Sequence, residues 1–295
     1  MDRLRAMSAF VLAVDLGSLS AAARSLSTTQ PTVSKLIAAL EASLGVRLLE
    51  RSASQAQPTD EGLRFAESAR RLLEDYDEAV ATLDEGTRRP RGLVRVSAPV
   101  ALGELHLNAL MLRTLQLYPE LQIDVVLSDG FVDPVEERFD LTVRIGGPLP
   151  NDLVARQLAA WPRYIVASPG YVERYGRPRS IEDLAHHPFL RYAAGSGETV
   201  SLHGPQEQTV DAPVSTRYRI NHAAALLEAV RSGAGITFQP SWMVDGLIAR
   251  KELVRLLPRW AGPPQTAWLL YPQRRRQPMR VRVMQDALTQ AITAL

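Results

Sequence analysis

The sequence lacks cysteine entirely, and it has only two lysines, Lys35 and Lys251, beside 32 arginines. The missing thiols exclude a disulfide-stabilised fold, a thiolate metal site, an iron–sulfur cluster, a cysteine nucleophile and thiol redox sensing. No run of about 18 apolar residues occurs, so no membrane-spanning helix is predicted. Asp15 interrupts the apolar N-terminal stretch, where we expect an amphipathic helix rather than a signal peptide. The expected location is the cytoplasm.

The composition predicts a globular chain of two domains. Hydrophobic residues make up 46% of the 295 residues and charged residues only 22%, which is ample apolar material for a core. The net charge of +2 hides an uneven distribution. Residues 60–92 carry nine acidic and six basic groups, whereas the segments before and after them are slightly basic. The middle segment therefore differs in character from its neighbours.

Three short helices are predicted before residue 46. Apolar residues recur at helical spacing over 3–16, and Gly17 is expected to end that helix. Ser18 can cap a second helix over 19–26. A third helix has Pro31 in its first turn and Gly45 at its end, and hydroxyls that can cap it come from Ser27, Thr28 and Thr29.

A wing and a long helix are predicted next. Residues 46–51 are strand-like, a polar loop follows over 52–57, and the pattern is typical of a helix–turn–helix with a β-wing. A helix of about 25 residues then begins at Thr59, with apolar side chains at the heptad spacing of a coiled coil. Those side chains are Phe65, Ala69, Leu72, Tyr76, Ala79 and Leu83. The alternative is that the same stripe packs on its own domain. Residues 86–92 read as a hinge because glycines flank a proline there.

From residue 93 onward the pattern predicts an α/β domain with mainly parallel strands. Strands are expected near 93–97, 122–127, 141–145, 164–167, 217–220, 235–238 and 267–271. Helices are expected near 102–117, 171–175, 223–231, 242–248 and 279–292.

Long stretches of the chain resemble a known family. The stretch FVLAVDLGSLSAAARSLSTTQPTVSKLIAALEASLGVRLLER, followed by PTDEG, resembles the winged helix–turn–helix of LysR-type transcriptional regulators. The likeness continues through VRVSAPVALGELHL, FDLTVRIGGPLPNDLVARQL, SPGYVERYGRPRSIEDL and SGAGITFQPSWMV and covers essentially the whole chain. It implies a DNA-binding transcriptional regulator with an effector domain similar to periplasmic binding proteins. It also implies a homotetramer in which the effector changes the bend of the DNA.

Together, pattern and resemblance predict an N-terminal all-α winged helix–turn–helix, a long linker helix and a two-lobed α/β effector domain. The expected boundaries are 1–59 for the DNA-binding domain, 60–85 for the dimerisation helix, 86–92 for the hinge and 93–295 for the effector domain. Lobe I is expected over 93–163 and 267–295, and lobe II over 164–266.

The wing departs from the family's usual pattern. Where the family often has an aromatic residue, a second arginine and a leucine, this chain has Leu49, Ser54 and Pro58, and it keeps Arg51. We therefore expect weaker contact between the wing and phosphate.

The third helix is the predicted reader of DNA. Gln30 and Thr32 are expected at base edges, Lys35 at a phosphate or guanine, and Arg24 and Arg51 at phosphates. The alternative is an ordinary capped amphipathic helix, with Ser34 merely at the surface. The complete predicted set is Arg24, Thr28, Gln30, Pro31, Thr32, Ser34, Lys35 and Arg51.

The effector site is predicted at strand ends that precede helices, where free N–H groups attract anions. A small molecule with a carboxylate fits best, although Asp129 argues against a highly anionic one. Arg144 is expected to provide charge or, alternatively, to pair with Asp129 or Asp140. The predicted residues are Ser97, Ala98, Pro99, Ser128, Asp129, Arg144, Asn221, Phe238, Gln239 and Pro240.

Other chemistry is less well supported. Gly233 and Gly235 have GxG spacing but join a helix to a strand, the reverse of a dinucleotide loop. Ser97, His106 and Asp129 form a candidate catalytic set. No metal or cofactor is expected. The expected partners are double-stranded DNA, a small-molecule effector, a second copy of the chain through the linker helix, and RNA polymerase if the protein activates. The main rival is a solute-binding or sensory protein whose N-terminal helices only oligomerise.

Overall fold

The computed structural model describes residues 2–50, 56–81, 89–130, 137, 139–192, 198–273 and 277–295. The chain forms two compact units, Met1–Arg89 and Pro90–Leu295. Within the described ranges, no helix has both the length and the apolar character needed to cross a bilayer.

The first unit is built from four helices. They are α1 (Arg3–Asp15), α2 (Leu19–Ser25), α3 (Gln30–Leu44) and α4 (Asp60–Ala81). Their apolar faces share one core, in which Phe10, Val33, Ile37 and Leu40 are almost completely buried. Because α2 and α3 both pack on α1, the polar face of α3 is turned outward, as a helix–turn–helix requires.

The helix ends follow the local signals with one exception. The Ser18 hydroxyl accepts a hydrogen bond from the Ala21 backbone N–H at 3.3 Å, and Gly45 adopts the left-handed φ of 70° that ends α3. Thr29 occupies the position before α3 but makes no capping bond with its side chain. Its hydroxyl lies 2.8 Å from the Thr32 hydroxyl instead, so the predicted hydroxyl cap is wrong for this residue.

The wing begins as a bridge and not as the continuous strand predicted over 46–51. Leu49 and Pro58 form an isolated antiparallel bridge. The Glu50 N–H donates to the Gln57 carbonyl at 2.8 Å, and the Thr59 N–H donates to the Leu48 carbonyl at 3.0 Å. Arg51 and Ser54 lie outside the described residues.

The apolar stripe on α4 is divided between two environments. Its N-terminal part packs on its own unit: Ala69 is buried, and the Phe65 ring lies 5.9 Å from the Phe10 ring. Farther along, Leu72, Tyr76 and Val80 are each about half exposed. The prediction of a continuous intermolecular seam is therefore wrong at Phe65 and Ala69. Leu83 lies outside the described residues.

The second unit contains eleven named strands among its described residues. They are β1 (Gly92–Ala98), β2 (Leu121–Leu127), β3 (Leu141–Ile145), β4 (Leu153–Ala167), β5 (Pro188–Tyr192), β6 (Thr199–His203), β7 (Thr209–Pro213), β8 (Ser215–Ile220), β9 (Thr237–Pro240), β10 (Val254–Leu256) and β11 (Gly262–Pro272). The sequence patterns missed β5, β6, β7, β10 and the first half of β4.

Helices cover the sheet. They are α5 (Val100–Leu102), which continues through a π-helical turn (Gly103–Leu107) into α6 (Asn108–Leu117), then α7 (Pro169–Tyr175), α8 (Ala223–Arg231), α9 (Ser241–Ala249) and α10 (Met279–Thr293). The π-turn passes so close to β2 that a methyl group on Gly103 would overlap the Leu127 side chain.

The main sheet is mixed rather than mainly parallel. Its order is β10-β4-β11-β3-β1-β2, with β9 also paired to β4. β1 pairs in parallel with β2 and β3, whereas β4 and β11 make only antiparallel pairs. The prediction of mainly parallel strands is wrong because buried strands of either direction show the same apolar pattern.

The second unit has two lobes, each with its own core. Lobe I surrounds a core that includes Val96, Leu141 and Met284. Lobe II contains two neighbouring cores, one with Phe189 and one with Leu226. β4 contributes to both lobes, because Trp161 lies in the first core and Ile165 in a core of lobe II.

Candidate DNA-contacting helix and effector cavity

The outer face of α3 presents the residues predicted to read DNA. Gln30, Pro31, Ser34 and Lys35 are exposed, and Thr32 is half-buried. On the opposite face Val33, Ile37 and Leu40 hold the helix in the core. On α2 and the turn after it, Arg24 is exposed and Thr28 half-buried.

A glutamate on α3 fixes the start of the wing. One oxygen of the Glu41 carboxylate accepts the backbone N–H groups of Leu48 (2.7 Å) and Leu49 (3.0 Å). This contact ties the wing to the recognition helix. Sequence reasoning missed Glu41, and it also missed Arg47, whose exposed side chain lies between α3 and the bridge.

The second unit holds a cavity of about 570 Å³ between its lobes. Residues at the ends of β1, β2 and β3 line it from lobe I, and residues of β9 and α9 line it from lobe II. Its volume falls in the range of sites that enclose small molecules, roughly 300 to 1,000 Å³.

The structure brings eight of the ten predicted effector residues to this cavity. They are Ser97, Pro99, Ser128, Asp129, Arg144, Phe238, Gln239 and Pro240. Ala98 does not line it, because Ala98 is buried in the sheet and its carbonyl accepts the Ser128 N–H at 2.9 Å. Asn221 does not line it either. Asn221 is exposed, and His222 caps α8 through its Nδ1, which accepts the Ala225 N–H at 3.2 Å.

The sequence predicted that free N–H groups at helix starts would attract an anion. At the start of α5, however, the N–H group already has a partner within the protein. The Val100 N–H donates to Oδ1 of Asp129 at 3.1 Å. No ion pair joins Asp129 to Arg144 among the described residues; Arg144 donates to the Pro148 carbonyl at 3.1 Å. A ligand therefore meets a carboxylate at the end of β2.

Arg163 is a cavity residue that sequence reasoning missed. Its Nε donates to the Pro263 carbonyl at 2.7 Å, and its guanidinium lies 5.5 Å from the centre of the Phe238 ring. Burial lowers the pKa of Arg163 from its ordinary value. An arginine inside the apolar run WPRYIVA was the available signal, since a buried cation in a strand needs a reason.

Aromatic residues contribute to the cavity wall. Trp242 and Trp268 line it together with Phe238. The Trp242 ring also lies 5.9 Å from the Trp161 ring. Trp242 follows the predicted set by only two positions, so extending that set through the first turn of α9 would have found it.

The described residues give no support to catalysis by Ser97, His106 and Asp129. Ser97 and Asp129 line the cavity, but His106 does not, and its ring packs on Trp242. Among the described residues, no three His, Asp or Glu side chains lie close enough together to hold a metal ion.

The helix–turn–helix head and the two-lobed domain around a ligand-sized cavity define a class: a DNA-binding protein with a ligand-binding domain. Comparison with known families agrees. The family described as "Bacterial regulatory helix-turn-helix protein, lysR family" matches residues 4–63, and "LysR substrate binding domain" matches residues 87–293. The chain belongs to the LysR family of transcriptional regulators.

Relatives match over nearly their whole length. HTH-type transcriptional regulator PtxR of Pseudomonas aeruginosa is 33% identical over 282 residues, which are 95% of this chain and 90% of that protein. HTH-type transcriptional activator AaeR of Escherichia coli is 29% identical over 289 residues, or 98% and 94% of the two chains.

Solved structures show the same architecture. CrgA, a LysR-type transcriptional regulator from Neisseria meningitidis, matches with a TM-score of 0.63 and 27% identity over 98% of both chains. The Vibrio cholerae virulence activator AphB matches with a TM-score of 0.60 and 28% identity, covering 97% of this chain and 98% of its own. The protein is therefore a transcriptional regulator with a helix–turn–helix DNA-binding domain and an effector-binding domain.

Proposed function

We propose that α3 reads an operator, with Gln30 and Thr32 at base edges and Lys35 at a phosphate or guanine. The exposed polar face of α3, opposite a fully packed apolar face, is the observation that carries this proposal. Arg24 and Arg51 hold phosphates, and the remaining predicted surface comprises Thr28, Pro31 and Ser34.

Two copies of the chain pair through the second half of α4, and pairs associate into a tetramer. The half-exposed stripe of Leu72, Tyr76 and Val80 supports this pairing, because those side chains share one helix face and nothing in the described first unit covers it. Paired recognition helices would read a two-fold-related site. We assign residues 1–59 to the DNA-binding domain, 60–85 to the dimerisation helix, 86–92 to the hinge and 93–295 to the effector domain. Within the effector domain, lobe I comprises 93–163 and 267–295, and lobe II comprises 164–266.

A small carboxylate in the cavity shifts the balance between lobe arrangements and so changes DNA binding or bending. For this the effector must bind one arrangement more tightly than the other. The protein acts in the cytoplasm by binding and not by turnover, and where it activates, it contacts RNA polymerase. The convergence of both lobes on one cavity supports the effector's part in this scheme.

A salt titration of DNA binding tests the recognition surface. Fluorescence anisotropy with the intergenic DNA upstream of the protein's own gene would be measured from low to high salt. Wild-type affinity should fall steeply with salt, by a slope of roughly 0.9 per phosphate neutralised. Lys35→Gln should lower the affinity and, if Lys35 contacts phosphate, should reduce the slope by about that amount.

The only other lysine provides a matched control. Lys251 is exposed in the second unit, so Lys251→Gln removes the same charge without touching α3. The DNA affinity of Lys251→Gln and the salt dependence of that affinity should match those of the wild type. An unchanged affinity in Lys35→Gln would contradict the assignment. Failure of the wild type to bind DNA at all would favour a sensory protein whose helices only oligomerise.

Sedimentation of the full chain tests the pairing. Leu72→Glu with Tyr76→Glu should convert the assembly to smaller species, because two charges would enter the paired face. Leu63→Glu is the control: Leu63 is equally exposed but lies on the opposite side of α4. A wild type that sediments as a monomer at micromolar concentration would refute the pairing.

A further inference from the structure

Buried polar atoms without partners are concentrated in residues that line the cavity between the lobes. Eight such side-chain atoms occur among the described residues, and five of them belong to residues that line this cavity. They are Asp129 Oδ2, Thr142 Oγ1, Gln239 Nε2, Trp242 Nε1 and Gln265 Oε1. Because a buried polar group without a hydrogen bond costs free energy, this clustering indicates that a bound molecule supplies the missing bonds.

The unpaired atoms differ in what they require. Gln239 Nε2 and Trp242 Nε1, both from lobe II, can only donate hydrogen bonds. Asp129 Oδ2, from lobe I, is a charged acceptor and needs a donor. A molecule that satisfies both sets bridges the two lobes.

The position of Asp129 excludes a carboxylate at the end of β2. Its Oδ1 already accepts the Val100 N–H, so Oδ2 is the atom left for a ligand. A ligand carboxylate placed against Oδ2 would meet a like charge. The group that a ligand presents here is therefore a hydroxyl or an amino group.

A negative group has a better position beside Arg163, which also lines the cavity. The Arg163 Nε donates to the Pro263 carbonyl, and its guanidinium has no ion pair with any described residue. Trp242, Trp268 and Phe238 offer flat apolar walls to the rest of the molecule.

We propose that the effector is a small carboxylic acid that also carries a hydrogen-bond donor, a hydroxyl or an amino group, which it presents to Asp129 while its carboxylate faces Arg163. This inference rests on the proposed effector-binding function and specifies its ligand. Both groups are therefore needed for full affinity.

Matched ligands test the donor requirement. Isothermal titration calorimetry with the full chain would compare 3-phenylpropanoate, 3-phenyllactate, phenylalanine and methyl 3-phenyllactate, and the analogous sets on indole and on short alkyl skeletons. Within at least one skeleton, the hydroxy or amino acid should bind about tenfold or more tighter than the acid without a donor, as one hydrogen bond to a charged group provides. The methyl ester should also bind more weakly, because it lacks the carboxylate.

Asp129→Asn provides the decisive variant. The asparagine oxygen can still accept the Val100 N–H, but its NH₂ group replaces the acceptor oxygen with a donor. The preference should therefore disappear or reverse, with the donor-free acid gaining affinity. Arg144→Gln serves as a comparison, since it neutralises a charge on the same cavity without removing the acceptor that the donor needs, and should keep the preference for a donor.

Three results would overturn the inference: equal binding of the donor-free acids, a preference that persists in Asp129→Asn, or no binding by any member of the panel. DNA anisotropy on the same preparations separates this failure from failure of the proposed function. A chain that binds its operator with steep salt dependence, yet lacks the donor preference, remains a DNA-binding regulator with a different ligand.

Discussion

The imidazole of His106 lies edge-on to the indole of Trp242, with the ring centres 5.6 Å apart and the planes at 72°. His106 belongs to the π-turn of lobe I, and Trp242 lies in the first turn of α9 of lobe II. Trp242 also packs against the lobe I core and against a core of lobe II. The pair therefore joins the two lobes beside the cavity, and π-turns are frequent at such functional positions.

This contact predicts a loss of stability in acid. Burial lowers the pKa of His106 below 6.5, although a hydrogen bond to the Trp242 backbone opposes the shift. The unfolded chain thus binds the proton at a higher pH than the folded one, and the free energy of unfolding falls as the pH drops below about 6.5. Urea unfolding between pH 7.5 and 5.5 measures the slope.

His106→Gln should reduce the dependence of unfolding free energy on pH relative to the wild type. Part of the slope should remain, because burial lowers the pKa of His187 as well. An identical slope in His106→Gln and the wild type would show that His106 does not contribute.

A second buried pair predicts behaviour at high pH. The Tyr171 hydroxyl lies 2.8 Å from His187 Nδ1, and burial, with a contribution from Tyr175, raises the pKa of Tyr171 to about 12. The unfolded chain loses this proton near pH 10, so stability should decline as the pH rises from about 10 toward 12. Tyr171→Phe should reduce that decline and cost about 1 kcal/mol at pH 8 from the lost hydrogen bond. Part of the decline should remain, because burial raises the pKa of Tyr192 as well. Unfolding monitored by circular dichroism, with Tyr218→Phe as the exposed control, distinguishes the two tyrosines.

Glu41 should affect DNA binding by holding the wing in position and not by contacting DNA itself. Glu41→Ala leaves the Leu48 and Leu49 N–H groups without their acceptor and should destabilise the first unit by about 1 to 3 kcal/mol. Operator affinity should fall as well, and Glu41→Gln should restore part of both because its amide oxygen can still accept. Glu120→Ala removes an exposed carboxylate from the second unit and should change neither quantity. A normal operator affinity in Glu41→Ala would contradict the prediction that the position of the wing affects DNA binding.

Gly62 is predicted to be intolerant of a side chain. A methyl group there would overlap the Leu48 carbonyl oxygen, which already accepts the Thr59 N–H. Gly62→Ala should therefore cost about 1 to 3 kcal/mol through overpacking, despite the better helix propensity of alanine. Gly170→Ala, on α7, meets nothing within 4 Å and should be neutral or slightly stabilising. Thermal unfolding of both variants tests this prediction, and equal melting temperatures would contradict the predicted overlap.

Local signals in the sequence determined the helix–turn–helix and many of the helices. Ser18 and Gly45 act through bonds and dihedral angles within a few residues of themselves, so their effect can be predicted without knowing the fold. The same holds for the ends of β1 and β9, where strand-then-helix order marked several of the residues that line the cavity.

Only the tertiary structure decided which groups meet and which remain unpaired. Strand direction was not predictable for β4 and β11, because a buried apolar run looks alike in either orientation. The stripe on α4 divides at about Ala69 because the first unit covers only part of the helix. Asp129, read from sequence as a reason against anionic ligands, proves to accept the Val100 N–H with one oxygen and to leave the other buried without a hydrogen-bond partner. Such pairings join residues about thirty positions apart, and no short-range pattern records them.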